Sequence, residues 1–184
     1  MERGDDCRKC FATGTVAKVH LEEPSCKLDA LDDVLEDLGG QPVVVFAQSR
    51  QLIDLASARL ARRKVEHAMV VGGQDEEERD EGVRRFQAGE IPVMLATIGA
   101  GGEGLTLNRA DVSVFLNRSW SKTKDDQAEE RTWDPESQVE IIDIIAEDTV
   151  EERVFEALEE KAGVIEEVVR DEETMRRVLG GEAA

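Results

Sequence analysis

Residues 94–121 read MLATIGAGGEGLTLNRADVSVFLNRSWS, and the order of apolar runs and glycines in them decides the fold. An apolar run ends at Thr97, and Gly99, Gly101, Gly102 and Gly104 crowd the next positions before a second apolar run, DVSVFL, at 111–116. Glycine lets a turn pass close to something else, and the bared N–H groups of such a turn hold an anion with no side chain intervening. A phosphate is the ligand class this turn predicts, carried either by a nucleotide or by a nucleic-acid backbone.

Outward from that stretch the same grammar repeats. PVVVFA (42–47), HAMVV (67–71), IPVMLAT (91–97), DVSVFL and VEIIDII (139–145) are apolar, β-branched runs with little polar alternation. Such runs suit strands buried on both faces. Between them, KLDALDDVLEDLGG (27–40) places Leu28, Leu31, Leu35 and Leu38 on one helical face before a Gly-Gly stop. SRQLIDLASARLARRK (49–64) returns to helical spacing through Leu52, Leu55 and Leu60, and KDDQAEERTW (124–133) predicts a short helix. Asp75 with Glu78, and Thr149 with Glu152, have capping-box spacing. Val150, Val154, Leu158, Ala162 and Ile165 give the last segment an apolar stripe. Strands alternating with amphipathic helices imply an α/β fold, a central mostly parallel sheet with helices on both faces. In such sheets ligands gather at the carboxyl ends of the strands, where Gln48, Thr97 and the glycine turn fall.

Composition narrows the class. A chain of 184 residues with 40% hydrophobic residues is one ordinary domain. No apolar stretch approaches a membrane span and the acidic start is no signal peptide, so a soluble cytoplasmic protein with no membrane partner is expected. An odd count of three cysteines argues against a disulfide framework. The net charge of −19 opposes general binding to nucleic acid. Residues 119–184 carry 21 acids against 8 bases, however, so the remainder is far less acidic. Within 48–64, Arg50, Arg59, Arg62, Arg63 and Lys64 face Asp54 alone, which predicts either a local basic surface or a solvated helix face.

The turn's own spacing, Gly99-x-Gly101-x-x-Gly104, matches a dinucleotide fingerprint, making an enzyme that binds such a cofactor one alternative. Against it, the turn follows at least two earlier strands, and Leu116-Asn117-Arg118 lacks the acid that would hold a ribose. No G-x-x-x-x-G-K-[ST] occurs, so the chain cannot cradle a nucleotide phosphate in that way by itself. His67 is isolated and completes no nucleophile or metal constellation.

Taken collinearly, VVVFAQSR (43–50), LATIGAGGEGLTL (95–107), NRSWSKTKDDQ (117–127), QAEERTW (127–133) and the closing DTVEERVFEALEEKAGVIEEVV (148–169) resemble the second RecA-like lobe of Swi/Snf-type helicase-like ATPases. The resemblance covers roughly residues 25–170. It implies a tail or linker over 1–25, the lobe over 26–170 and a tail over 171–184. In that family two lobes clamp ATP with Mg²⁺ at their interface and hold duplex nucleic acid across both. The resemblance therefore implies that Gln48, Ser49, Arg50, Thr97, Ile98 and Gly99 meet nucleic-acid phosphates. Gly102, Glu103, Gly104 and Gln127 would line the ATP interface, with Arg131 as the arginine that reaches the γ-phosphate. Double-stranded DNA is the implied partner, with RNA left open. A separate first lobe carrying the Walker A lysine must complete the site, so no hydrolysis is expected from this chain alone.

Two departures matter. The family's sixth motif runs Q-x-x-G-R-x-x-R-x-G-Q, and here its second arginine is Asp134, followed by Glu136 and Ser137 where G-Q would stand. An arginine finger is worth about 10³–10⁵ in rate, so either Arg118 or Lys124 substitutes or hydrolysis is impaired. Impairment is the expectation, and it makes a binding module derived from such a lobe the second hypothesis. Cys7, Cys10, His20 and Cys26 supply four potential zinc ligands, but RKCFATGTV resembles the ordinary linker entering these lobes, and no metal is expected.

Overall fold

The protein is described by a computed structural model over residues 2–3, 15–16, 20–100, 105–119, 121–134, 138–153 and 155. Two short strands, β1 (Glu2–Arg3) and β2 (Thr15–Val16), pair antiparallel. The main body then runs α1 (Cys26–Asp37), β3 (Val43–Ala47), α2 (Arg50–Arg62), β4 (His67–Val70), α3 (Glu76–Gln87), β5 (Val93–Thr97), β6 (Val112–Phe115), α4 (Lys122–Glu129) and β7 (Glu140–Asp143). Its sheet has the order β4-β5-β3-β6-β7 with every pairing parallel. The expected α/β architecture is the one observed.

The period-2 geometry of strands sorts the core into two layers. Val43, Val45 and Ala47 of β3 pack with Leu28 and Leu31 of α1 and with Leu52, Ile53, Ala56 and Leu60 of α2. The intervening Val44 and Phe46 face the other way, onto Phe86 of α3 and Ala128 of α4. Phe46 stacks on Phe115 with ring centroids 5.0 Å apart. All five residues of β3 and of β5 are buried, as their unbroken apolar runs predict, whereas the edge strand β7 is half exposed.

Local signals set the ends of the elements. Gly39 and Gly40 stop α1 with φ of +57° and +91°, a region costly for other residues. Gly82 lets α3 lie close to β4, since a Cβ there would stand 2.9 Å from that of Ala68. The two capping boxes form in half. Asp75 accepts a hydrogen bond from the Glu77 amide at 2.9 Å, and Thr149 from the Glu151 amide at 3.2 Å, each at the second helical residue rather than the third. The fourth helix begins two residues earlier than its sequence suggests and ends at Glu129, leaving Arg131 and Thr132 in the following turn and Trp133 beyond it. Val150 of the predicted apolar stripe is 60% exposed, and Val154, Leu158, Ala162 and Ile165 lie outside the described residues.

Candidate nucleotide and nucleic-acid interface

Parallel register brings the carboxyl ends of the strands to one rim. Ala47 stands opposite Thr97, and the Ile98 amide donates to the Ala47 carbonyl at 2.9 Å. On the other side of β3 the Leu116 amide donates to the Phe46 carbonyl at 2.9 Å, and the Gln48 amide donates to Asn117 Oδ1 at 3.1 Å. Gln48, Ser49 and Arg50 therefore sit side by side with Thr97, Ile98 and Gly99, although about fifty residues separate the two sets in sequence. Thr97 and Ile98 are buried, and Gly99 is exposed.

Gly99 has an ordinary φ, and a Cβ added to it would meet nothing within 4 Å. The fold itself does not need a glycine there. Ser49 is the N-cap of α2 but makes no side-chain capping bond, so the positive end of that helix faces the rim uncapped by its own side chain. Arg50, half exposed, reaches along the rim toward the carboxyl end of β4. Its Nη1 donates to the Gly72 carbonyl at 2.5 Å and its Nε lies 3.6 Å from Asp54.

Both flanks of the glycine turn are tied to the body. Arg131 Nη1 donates to the Ile98 carbonyl at 3.2 Å, and the Arg131 carbonyl accepts from the Leu107 amide at 2.7 Å. Gln87 Nε2 donates to the Thr106 carbonyl at 2.9 Å and to Asn108 Oδ1 at 3.0 Å. Burial lowers the pKa of Arg131 from the usual guanidinium value. Gln127 is exposed on α4, one helical turn before Arg131. The remaining interface candidates, Gly102, Glu103 and Gly104, lie outside the described residues.

Three expectations meet different surroundings. Arg118 is no substitute finger: its Nε and Nη2 hold both oxygens of Asp143 at 2.6 and 2.8 Å, its Nη1 donates to Glu129, and its guanidinium covers the Phe115 ring at 3.7 Å. Burial opposes that charge, but the hydrogen bonds to Asp143 and Glu129 overcome it and raise the pKa further. The run of bases on α2 is not a free basic surface either. The acids of α1 and the segment before it lie alongside, so Arg59 pairs with Asp29 and Asp32, Arg62 with Glu23, and Arg63 with Asp32 and Glu36. Of the zinc candidates, His20 and Cys26 are exposed, and Cys7 and Cys10 lie outside the described residues. Among the described residues no group of three or more His, Cys, Asp or Glu is arranged to hold a metal ion. His67 is a structural residue, bonded at 2.8 Å to both Ser57 Oγ and the Val65 carbonyl.

Sequence reasoning missed Lys27, whose Nζ donates to the carbonyls of Leu116 and Ile144 and pairs with Glu151 at 2.6 Å. It also missed Asp125, which is 1% exposed, accepts from the Ser119 amide at 2.9 Å and leaves Oδ2 without a hydrogen-bond partner among the described residues. An acid facing the apolar side of a helix, as Asp125 does beside Ala128, is the one signal available. Nothing local marks Lys27.

Residues 26–135 match the model of the helicase conserved C-terminal domain. The chain belongs to that family. As a helicase C-terminal domain it is 33% identical over 178 residues to the chromatin-remodeling ATPase INO80 of Aspergillus oryzae, across 90% of this chain but 12% of that protein. It is 28% identical over 157 residues to protein CHROMATIN REMODELING 24 of Arabidopsis thaliana, across 83% of this chain and 14% of the relative. The chain thus spans about an eighth of the length of these curated relatives. Among solved structures, the C-terminal part of the Fun30 ATPase domain superposes with a TM-score of 0.66 at 23% identity, over 76% of this chain and 47% of that one. The Pyrococcus furiosus Hef helicase domain gives 0.60 at 22%, over 72% and 28%. The RecA-like lobe of helicase-like ATPases, expected from the motifs, is the fold and family of this helicase C-terminal domain. No helix among its described residues is long and apolar enough to cross a membrane.

Proposed function

We propose that this chain is the second lobe of an ATP-dependent DNA translocase or helicase, with the lobe proper over residues 26–170. It contributes a phosphate-gripping rim and one arginine to an ATP site that a Walker A-containing first lobe completes. One observation carries this. The hydrogen bond from Arg131 to the Ile98 carbonyl joins the arginine expected at ATP to the first residues of the turn expected at the nucleic acid. An arginine so placed can feel both ligands.

The residues fit both groups. At the rim, the uncapped start of α2 and the bare Gly99 offer donors to backbone phosphates, contacts that position a duplex without reading its sequence, while the Ile98 amide is spent on the Ala47 carbonyl. At the other side, half-buried Arg131 with exposed Gln127 suits a polyphosphate. ATP supplies the transferable phosphoryl group when bound, and Mg²⁺ belongs with the acids of the first lobe. The curated relatives are named as chromatin-remodeling ATPases, which supports an ATP-driven role on DNA. The test is turnover of the assembled two-lobe enzyme with Arg131→Ala. A drop of about 10³-fold is expected, and unchanged turnover overturns the assignment.

A second function is favoured by a specific pair of observations. Asp134 holds the second arginine's position, and of the two bases that could replace it Arg118 is engaged elsewhere, which leaves exposed Lys124. The lobe would then act as a nucleic-acid-binding module with weakened hydrolysis. Asp134→Arg distinguishes the two. A rise in turnover of about tenfold or more supports impairment, and an assembly already at its full rate before the change dismisses it.

A further inference from the structure

Arg118 is committed on every side. Its side chain is 14% exposed, and its partners come from three elements: Asp143 closing β7, Phe115 closing β6 and Glu129 closing α4. Glu129 lies two residues from Gln127 and two from Arg131. Asp143, Phe115 and Arg118 itself also line a cavity of about 160 Å³ shared with Gln48 and Asn117. One guanidinium therefore stands between the nucleic-acid rim and the helix that precedes the finger.

We infer that Arg118 is a positioning residue, holding the end of α4 against the tips of β6 and β7 so that Arg131 and Gln127 keep their places. The inference rests on the proposal that Arg131 serves an ATP site, but its geometry is independent of ATP. Two arms of Arg118 hold the sheet edge and one holds the helix. If Arg118 only fastened β7 to β6, the helix arm would be dispensable. As a positioning residue, it acts through that arm. Glu129→Gln weakens the helix arm alone and leaves the paired hydrogen bonds to Asp143 and the ring contact in place.

The Leu107 amide reports on the outcome, because it donates to the Arg131 carbonyl at 2.7 Å. Amide hydrogen exchange on the full chain is the measurement. Glu129→Gln and Arg118→Met are expected to speed exchange at Leu107 by about tenfold, with Val45 and Leu95 in the sheet interior within about twofold of wild type. Arg118→Lys, which keeps the charge but not the fork, should recover part of the protection. Unaltered exchange at Leu107 in Glu129→Gln overturns the inference, whether or not Arg118→Met folds. In the two-lobe assembly Glu129→Gln should lower kcat several-fold with KM within about twofold, since an interaction felt only at the reacting phosphate acts on kcat. A rise in KM alone counts against positioning. Should Arg131→Ala leave turnover intact while Leu107 responds to Glu129→Gln, the ATP assignment falls and the positioning role stands.

Discussion

Arg131 and Ile98, 33 residues apart, share a hydrogen bond of 3.2 Å from the guanidinium to a main-chain carbonyl at the end of β5. The carbonyl belongs to the turn that carries the glycines, so movement of the turn and movement of the arginine are mechanically linked. Neighbouring bonds reinforce this, since Leu107 on the far flank of the same turn is held by the Arg131 carbonyl.

Lysine at 131 should separate the structural from the chemical use of that side chain. Arg131→Lys keeps a charge and a donor for the Ile98 carbonyl, and its unfolding free energy is expected to stay within about 1 kcal/mol of wild type. The planar fork that grips a phosphate is lost, so turnover in the two-lobe assembly should remain as low as in the alanine variant. Denaturant melts and steady-state ATP hydrolysis, run on the same preparations, check both halves.

Two glycines make opposite forecasts. Gly82→Ala places a methyl group 2.9 Å from the Ala68 Cβ, between a helix and a strand that cannot both yield, and should cost about 1–3 kcal/mol. Gly99→Ala adds a methyl group in open space at an ordinary φ, and should change stability by less than about 1 kcal/mol in the stabilising direction. Affinity for a DNA duplex, read by fluorescence anisotropy at fixed salt, should fall for Gly99→Ala because the added group stands where a phosphate would approach.

Lys27 ties the tips of β6 and β7 to Glu151, in the helical segment that begins at Val150. It is 13% exposed, and removing it leaves two carbonyls and the Glu151 carboxylate without their cation. Lys27→Met should destabilise the chain by about 2 kcal/mol. The loss should persist in high salt, since a mostly buried pair is screened far less than a surface one. Equilibrium unfolding at low and high ionic strength checks this.

Asp125 makes stability depend on pH with a definite sign. Desolvation by burial raises its pKa above the ordinary value of 3.8, against the opposing hydrogen bonds from Ser119. The folded state then binds its proton more tightly than the unfolded state. Its contribution is fully present below the unfolded value and is lost as pH rises through the raised folded value. Asp125→Asn cannot ionise, so its stability relative to wild type should improve as pH rises above about 4. A constant difference across that range would show that the carboxyl titrates normally.

The strand runs, the helix-stopping glycines at 39 and 40 and the order of the motifs were legible in the chain as written. Each depends on residues within one strand or one turn of one another, where side-chain periodicity and φ preference act directly. The glycine turn and Arg131 were likewise nameable as site residues, because motif spacing is local information. Their hydrogen-bonded link was not, nor was the capture of Arg118 by Asp143 and Glu129 or the neutralisation of α2's arginines by α1. An arginine's partner depends on which acid the fold brings within a few ångströms, and those acids lie 11–39 residues away in sequence. Local sequence thus determined which elements form and which residues could do chemistry. The packing of helices on both faces of a parallel sheet decided which of those residues are free to do it, because charges taken out of water must find their counterparts in whatever the fold places beside them.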